Sequence, residues 1–268
     1  MEIIMNMSKM TKALVVGLAL TGPVVAMAAT PGAGILGTRH DFATRAEYMA
    51  TQTDGHGVLV PATDSVGQCS YCHTPHSAIS TSLLWNHTLS GSTFTWDEAT
   101  TTGGTAYASL APSYKGPTVK CLSCHDGSVA IGDVALYMEG PGNFNTFKIT
   151  GGPQIGSGGS MKGNHPVGMA YPYGQAVNTY NSTTTGPNVA LTEFQADPTV
   201  ATANAKIKLY NNTGGNITGG AATGTSGLEC STCHDPHNKQ TTDDLFLRGK
   251  LAGSTQAGGY ICLQCHIK

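Results

Sequence analysis

All eight cysteines of this 268-residue chain fall in four copies of one pattern: Cys69-Ser-Tyr-Cys72-His73, Cys121-Leu-Ser-Cys124-His125, Cys230-Ser-Thr-Cys233-His234 and Cys262-Leu-Gln-Cys265-His266. Two thiols three residues apart on one helical turn can each form a thioether to one vinyl group of a porphyrin. The histidine that follows is then placed under the iron as its proximal ligand. Cys-x-x-Cys-His is the signature of covalent haem attachment, so the spacing predicts four haem c groups with His73, His125, His234 and His266 as proximal ligands. Disulfides and zinc also use even sets of cysteines. Neither needs a histidine after each second cysteine, and with 10 histidines in the chain four such coincidences have a chance probability on the order of one in a million.

Four irons call for four further strong ligands or for open positions. Six histidines lie outside the motifs: His40, His56, His76, His87, His165 and His237. His76 and His237 stand in His73-Thr-Pro-His76 and His234-Asp-Pro-His237. The prolines fix φ and stiffen these short links, so the second imidazole is expected to serve a neighbouring haem rather than the far face of the same one. His87, in Leu83-Leu84-Trp85-Asn86-His87, is a candidate for the first pair of motifs. His165, in Asn164-His165-Pro166-Val167, is a candidate for the second. His40 is a fifth candidate, whereas His56, between Gly55 and Gly57, has nothing in sequence to hold it. Asp126 and Asp235 follow proximal histidines and either tune them by hydrogen bonding or cap a short helix. Trp85 and Trp96 are read as packing against haem faces.

The elements that must position these groups form a duplicated order. Cys69 to His76 parallels Cys230 to His237, each is followed by a Cys-Leu-x-Cys-His motif, and Leu83-Leu84-Trp85-Asn86 aligns loosely with Leu245-Phe246-Leu247-Arg248. The chain therefore divides into 29–126 with the first pair, an insertion over 127–227 rich in Gly, Thr, Asn and Ser, and 228–268 with the second pair. In the insertion, Gly151-Gly152-Pro153, Gly158-Gly159 and Gly214-Gly215 read as turns. Lys206 to Tyr210 reads as a short strand of a small β element. Ahead of these, Lys9 and Lys12 precede an apolar run from Ala13 to Val25 and Ala26-Met27-Ala28, the pattern of a signal peptide over residues 1–28. No later stretch is long and apolar enough to span a membrane.

Aromatic residues make up 7% of the chain and charged residues 11%, few for a large apolar core, so the haems are expected to fill much of the interior. A net charge of −2 argues against a nucleic-acid partner, which would call for a basic face. Asn181-Ser182-Thr183 and Asn216-Ile217-Thr218 match a glycosylation pattern that is common by chance in a Thr-rich chain.

The set CSYCHTPH, LLWNH, CLSCHDG, NHPVG, CSTCHDPH and CLQCH resembles the doubled-CXXCH multihaem cytochromes of metal-reducing bacteria, particularly extracellular tetrahaem cytochromes that polymerise into filaments. The resemblance implies a fold mostly of irregular coil with short α-helices, wrapped around a stacked tetrahaem core. It implies bis-histidine irons, with His76, His87, His165 and His237 as the distal set. His40 matches a family histidine near the amino terminus that is offered to a haem of an adjacent subunit. Five candidates for four positions leave one unassigned. The implied function is electron transfer without substrate chemistry, with redox partner cytochromes or extracellular acceptors and with self-association into filaments, at the cell exterior or outer-membrane surface. The alternatives are a soluble periplasmic shuttle, a subunit of an outer-membrane conduit and an oxyanion reductase. The reductase would need an open iron, and the sequence has no Cys-x-x-Cys-Lys variant.

Overall fold

The computed structural model describes residues 30–42, 69–79, 82–137, 140–143, 148–200, 202, 204–213, 216–220 and 224–267. The predicted signal peptide, His56 and Gly214-Gly215 lie outside them. Among the described residues two α-helices, a handful of 3-10 turns and eight short strands are joined by long irregular stretches.

Helix α1, Pro117–His125, carries the second motif. Pro117 opens it, where a missing N–H costs nothing and a fixed φ favours the helix. It stops at Asp126 and Gly127, whose φ of +72° suits a residue without Cβ. Val119 and Leu122 on its buried face pack with Phe94, Ala108, Leu110, Met161 and Val167, flanked by Trp96, Tyr114 and Cys230. Each of the buried Val, Leu, Phe and Met side chains contributes about 1.5–3 kcal/mol by leaving water. A conventional side-chain core therefore exists beside the second and third motifs, in spite of the sparse aromatic content. Trp96 belongs to it, stacked on Tyr107 with ring centres 5.6 Å apart. Helix α2, Cys230–Cys233, is a single turn holding the third motif.

The insertion supplies the strands. β1, Asp133–Tyr137, and β2, Gly140–Asn143, form an antiparallel hairpin. β3 (Met169–Ala170), β8 (Ser226–Leu228), β6 (Tyr210–Thr213) and β7 (Asn216–Gly219) make an antiparallel sheet in the order β3-β8-β6-β7, and β4 (Thr179–Tyr180) pairs with β5 (Thr183–Thr184) beside it. Gly227 in β8 lies against the Tyr180 ring, where any Cβ would collide. The strand expected from Lys206 begins only at Tyr210. Ahead of it Ile207 and Leu209 are buried in the expected alternation, but Lys206 and Lys208 donate their N–H groups to Arg248 and Thr232 carbonyls around the third motif instead of to a neighbouring strand.

Sheet and motif join at β8, which runs straight into Glu229 and α2. The fourth motif is gripped by the insertion too. Phe194 bridges His266, Gln195 N–H donates to Cys265 O at 2.9 Å, and the Tyr171 hydroxyl donates to Gln195 O at 2.6 Å.

Candidate haem-attachment sites

Each motif closes into a single turn, helical in the second, third and fourth. The N–H of the histidine donates to the carbonyl of the first cysteine at 2.8 Å in the first motif, 3.0 Å in the third and 3.0 Å in the fourth, and the second motif lies within α1. Residues three apart on such a turn share a face, so each pair of thiols is aligned beside its imidazole. All eight cysteines are unpaired thiols. Enclosure pushes Cys72 up to about 12 and Cys233 up to about 11. Among the described residues no three His, Cys, Asp or Glu side chains gather at one point as a bare metal ion would need.

The first pair and the second pair build the same cradle twice. His73 bridges Trp85 as His234 bridges Leu247. Thr74 N–H donates to Leu84 O as Asp235 N–H donates to Phe246 O, and Asn86 N–H to Cys72 O as Arg248 N–H to Cys233 O. Side chains take part as well: Asn86 Nδ2 donates to Ser70 O at 2.5 Å and Arg248 Nε to Ser231 O at 3.0 Å. In both copies two successive bulky residues adopt left-handed backbone, Leu83 (φ 65°) and Leu84 (φ 51°), Leu245 (φ 57°) and Phe246 (φ 61°). Such residues store about 1–2 kcal/mol each. The strain turns the carbonyl of the first onto the proximal imidazole, with His73 Nδ1 2.6 Å from Leu83 O and His234 Nδ1 2.8 Å from Leu245 O. It also leaves Leu83, Leu84 and Leu245 exposed beside those imidazoles.

This donor chemistry fits haem iron. A carbonyl only accepts, so an imidazole whose Nδ1 faces one carries its proton there and presents the Nε2 lone pair to a metal. His125 does the same with Pro153 O at 2.9 Å, His165 with Pro166 O at 3.0 Å and His40 with Pro236 O at 3.3 Å. Enclosure, reinforced by His125 nearby, lowers His40 to about 4, so it is the neutral, ligating form at physiological pH. The indole N–H of Trp85, buried and edge-on to His73, has no hydrogen-bond partner among the described residues.

The structure brings some candidates together and leaves others apart. The ring of His237 lies 6.1 Å from that of His73, and the ring of His40 6.2 Å from that of His125. His87 is buried with Nδ1 on Thr88 O at 2.8 Å and Nε2 on Ala130 O at 2.9 Å, and Nε2 is 3.4 Å from Cys124 Sγ. His76 and His165 are exposed. His266 packs on Phe194 at 5.0 Å. The thiols of Cys121 and Cys230 are hydrogen-bonded to each other, so the second and third motifs touch.

The carboxylates of both aspartates bind groups other than the imidazoles that precede them. Asp126 accepts from Ser90 and Ser128 hydroxyls, and Asp235 accepts N–H donors from His237, Lys239 and Gln240. The partners of the His73, His125 and His234 imidazoles are backbone carbonyls, for which sequence offers only the weak alignment of Leu83-Leu84 with Leu245-Phe246. Glu229 carries no motif signal either. It is fully buried against Cys230 and accepts from Thr118 N at 3.0 Å, Thr118 Oγ1 at 2.5 Å, Tyr180 Oη at 2.6 Å and the Tyr114 hydroxyl, pinning the second motif, the insertion and the third motif together.

A family model described as the doubled CXXCH motif matches residues 222–268, the third and fourth motifs with the cradle between them. The match supports a c-type-cytochrome-like, haem-binding protein. No curated protein matches the chain. Among the described residues no helix is long and apolar enough to cross a membrane.

Proposed function

We propose that the chain is an electron-transfer protein with four covalent haem c groups, and that it serves long-range transfer outside the cell as a subunit of a cytochrome filament. The observation that carries the haem count is the duplicated cradle: the first pair, which the family match does not cover, has the same backbone geometry around its first motif as the matched second pair. When bound, haem supplies an iron that changes oxidation state without making or breaking a substrate bond. The eight cysteines hold it, and His73, His125, His234 and His266 ligate it. His40, His76, His87, His165 and His237 are the imidazoles from which second ligands are drawn. With five such groups for four irons no coordination position is left for a substrate, so the chain is read as a conductor and not an enzyme. The coil is expected to wrap a stacked haem core, with the small sheet clamping the third and fourth motifs.

The residue 1–28 segment directs the chain out of the cytoplasm on this reading. Redox partner cytochromes or extracellular acceptors are then its partners, and its own copies are the neighbours in a filament. Two measurements on the matured protein test it. The oxidised protein is expected to be low-spin throughout by electron paramagnetic resonance, and microscopy of the secreted fraction is expected to show filaments with continuous haem density. A substantial high-spin fraction would favour an enzyme with an open iron, and discrete soluble particles at all concentrations would favour a periplasmic shuttle.

A further inference from the structure

We propose that both haem sites of the first pair are completed by imidazoles held at the turn after the third motif: His237 for the site of His73, and His40 for the site of His125. This rests on the four-haem reading above.

Two imidazoles on opposite sides of one metal ion have ring centres about 6 Å apart, from metal–nitrogen bonds of about 2 Å and about 1 Å more to each ring centre. The His73–His237 and His40–His125 separations of 6.1 and 6.2 Å are compatible with that span.

The two incoming imidazoles are built on one module. The segment 30–42 is docked on the turn after the third motif: Gly34 N–H donates to Asn238 O at 2.9 Å, Asn238 Nδ2 donates to Thr30 O and Gly34 O at 2.9 Å each, and Gly32 N–H donates to Thr241 Oγ1 at 2.8 Å. His40 is then fixed by Pro236 O, one residue before His237. Asp235 caps the same turn and is itself held 3.6 Å from Arg248 Nη2. His87, the histidine local to the first pair, is buried with Nδ1 and Nε2 each facing a backbone carbonyl, Thr88 O and Ala130 O. The two pairs are thus interlocked, and the first cannot be saturated in the absence of the second.

The test uses the full, haem-loaded chain. His237→Ala and His40→Ala are each expected to convert one haem of four from low to high spin. In a Cys69→Ala/Cys72→Ala background, adding His237→Ala should produce no further high-spin haem, whereas in a Cys230→Ala/Cys233→Ala background it should still produce one. Should those cysteine variants not fold, nuclear Overhauser contacts in the otherwise intact protein make the same distinction. Ring protons of His237 should contact the haem attached at Cys69 and Cys72, and those of His40 the haem at Cys121 and Cys124. Contact of either ring with a second-pair haem, or four low-spin haems in either alanine variant, overturns the proposal while the four-haem reading stands. A high-spin fraction that grows on dilution would mean that His40 comes from another copy, and overturns that half. Wild-type protein lacking haem at Cys69 or Cys121 overturns both.

Discussion

Removing the Glu229 carboxylate should be among the most destabilising single changes in the chain. Glu229 has no solvent exposure and accepts four hydrogen bonds from three groups of distinct origin: Thr118 at the start of α1, Tyr114 before it and Tyr180 in the insertion. In Glu229→Ala the Tyr180 hydroxyl and the Thr118 N–H lose this acceptor, and the Tyr114 hydroxyl keeps only the long contact to Tyr180 Oη at 3.5 Å. At about 1–3 kcal/mol for each buried donor left unmet, and with partial relaxation, the loss should reach about 3–5 kcal/mol. Glu229→Gln is expected to be milder, at about 1–2 kcal/mol, because an amide oxygen can still face Thr118 while the hydroxyls rotate to accept from its NH2. The same pair of variants reports a pH effect. Burial raises the Glu229 carboxyl above its usual 4.5, against the hydrogen bonds that oppose the rise. The folded protein then holds a proton that the unfolded chain has released, so this contribution is fully present below the unfolded value and is lost as pH rises through the folded one. Urea denaturation of the haem-loaded protein from pH 4 to 8 reads both quantities. Wild type should lose stability upward through that window relative to Glu229→Gln. Parallel curves, or a Glu229→Ala loss below about 1 kcal/mol, would refute the role given to this buried pin.

Other expectations follow from the cradle and the core. Leu84→Pro forbids the left-handed backbone at that position and should lower stability by about 3 kcal/mol and shift the potential of the haem on His73. Leu83→Gly keeps the conformation and should leave that potential unchanged with stability equal or up to about 1 kcal/mol higher, as voltammetry and urea midpoints would show. Leu122→Ala, in the middle of the side-chain core, should cost about 2–5 kcal/mol. Asp235→Ala removes the acceptor of three N–H groups and should cost about 2 kcal/mol, with a rise in high-spin signal as His237 loosens.

Sequence carried the attachment chemistry because thioether formation and proximal ligation need only residues within one turn. The duplication was legible for the same reason, and the loose match of Leu83-Leu84-Trp85-Asn86 with Leu245-Phe246-Leu247-Arg248 became, in three dimensions, a residue-by-residue equivalence. What sequence could not supply were contacts made by backbone. No residue type marks the carbonyls of Leu83, Leu245 and Pro153 as partners of histidines, since any residue has a carbonyl and only the local φ and ψ aim it. Long-range proximity was hidden too. His87 lies near the first pair in sequence, whereas His40 approaches His125 only because residues 30–42 dock on Asn238, about 200 positions away. The sparse aromatic content gave no sign of the side-chain core that Phe94 and the aliphatic residues around Leu110 and Leu122 make. The strand expected from Lys206 slipped to Tyr210 because the third motif, not a neighbouring strand, takes up its N–H groups.

The central claim is that each Cys-x-x-Cys-His turn holds a haem. Intact-protein mass spectrometry of the chain matured by a cytochrome c assembly system, after acid denaturation that strips any non-covalent group, tests it directly. The mass should exceed that of the processed polypeptide by four haems, with peptides spanning Cys69–His73, Cys121–His125, Cys230–His234 and Cys262–His266 each carrying one. A fully matured protein carrying two or fewer, or one in which the first pair bears none, would contradict it.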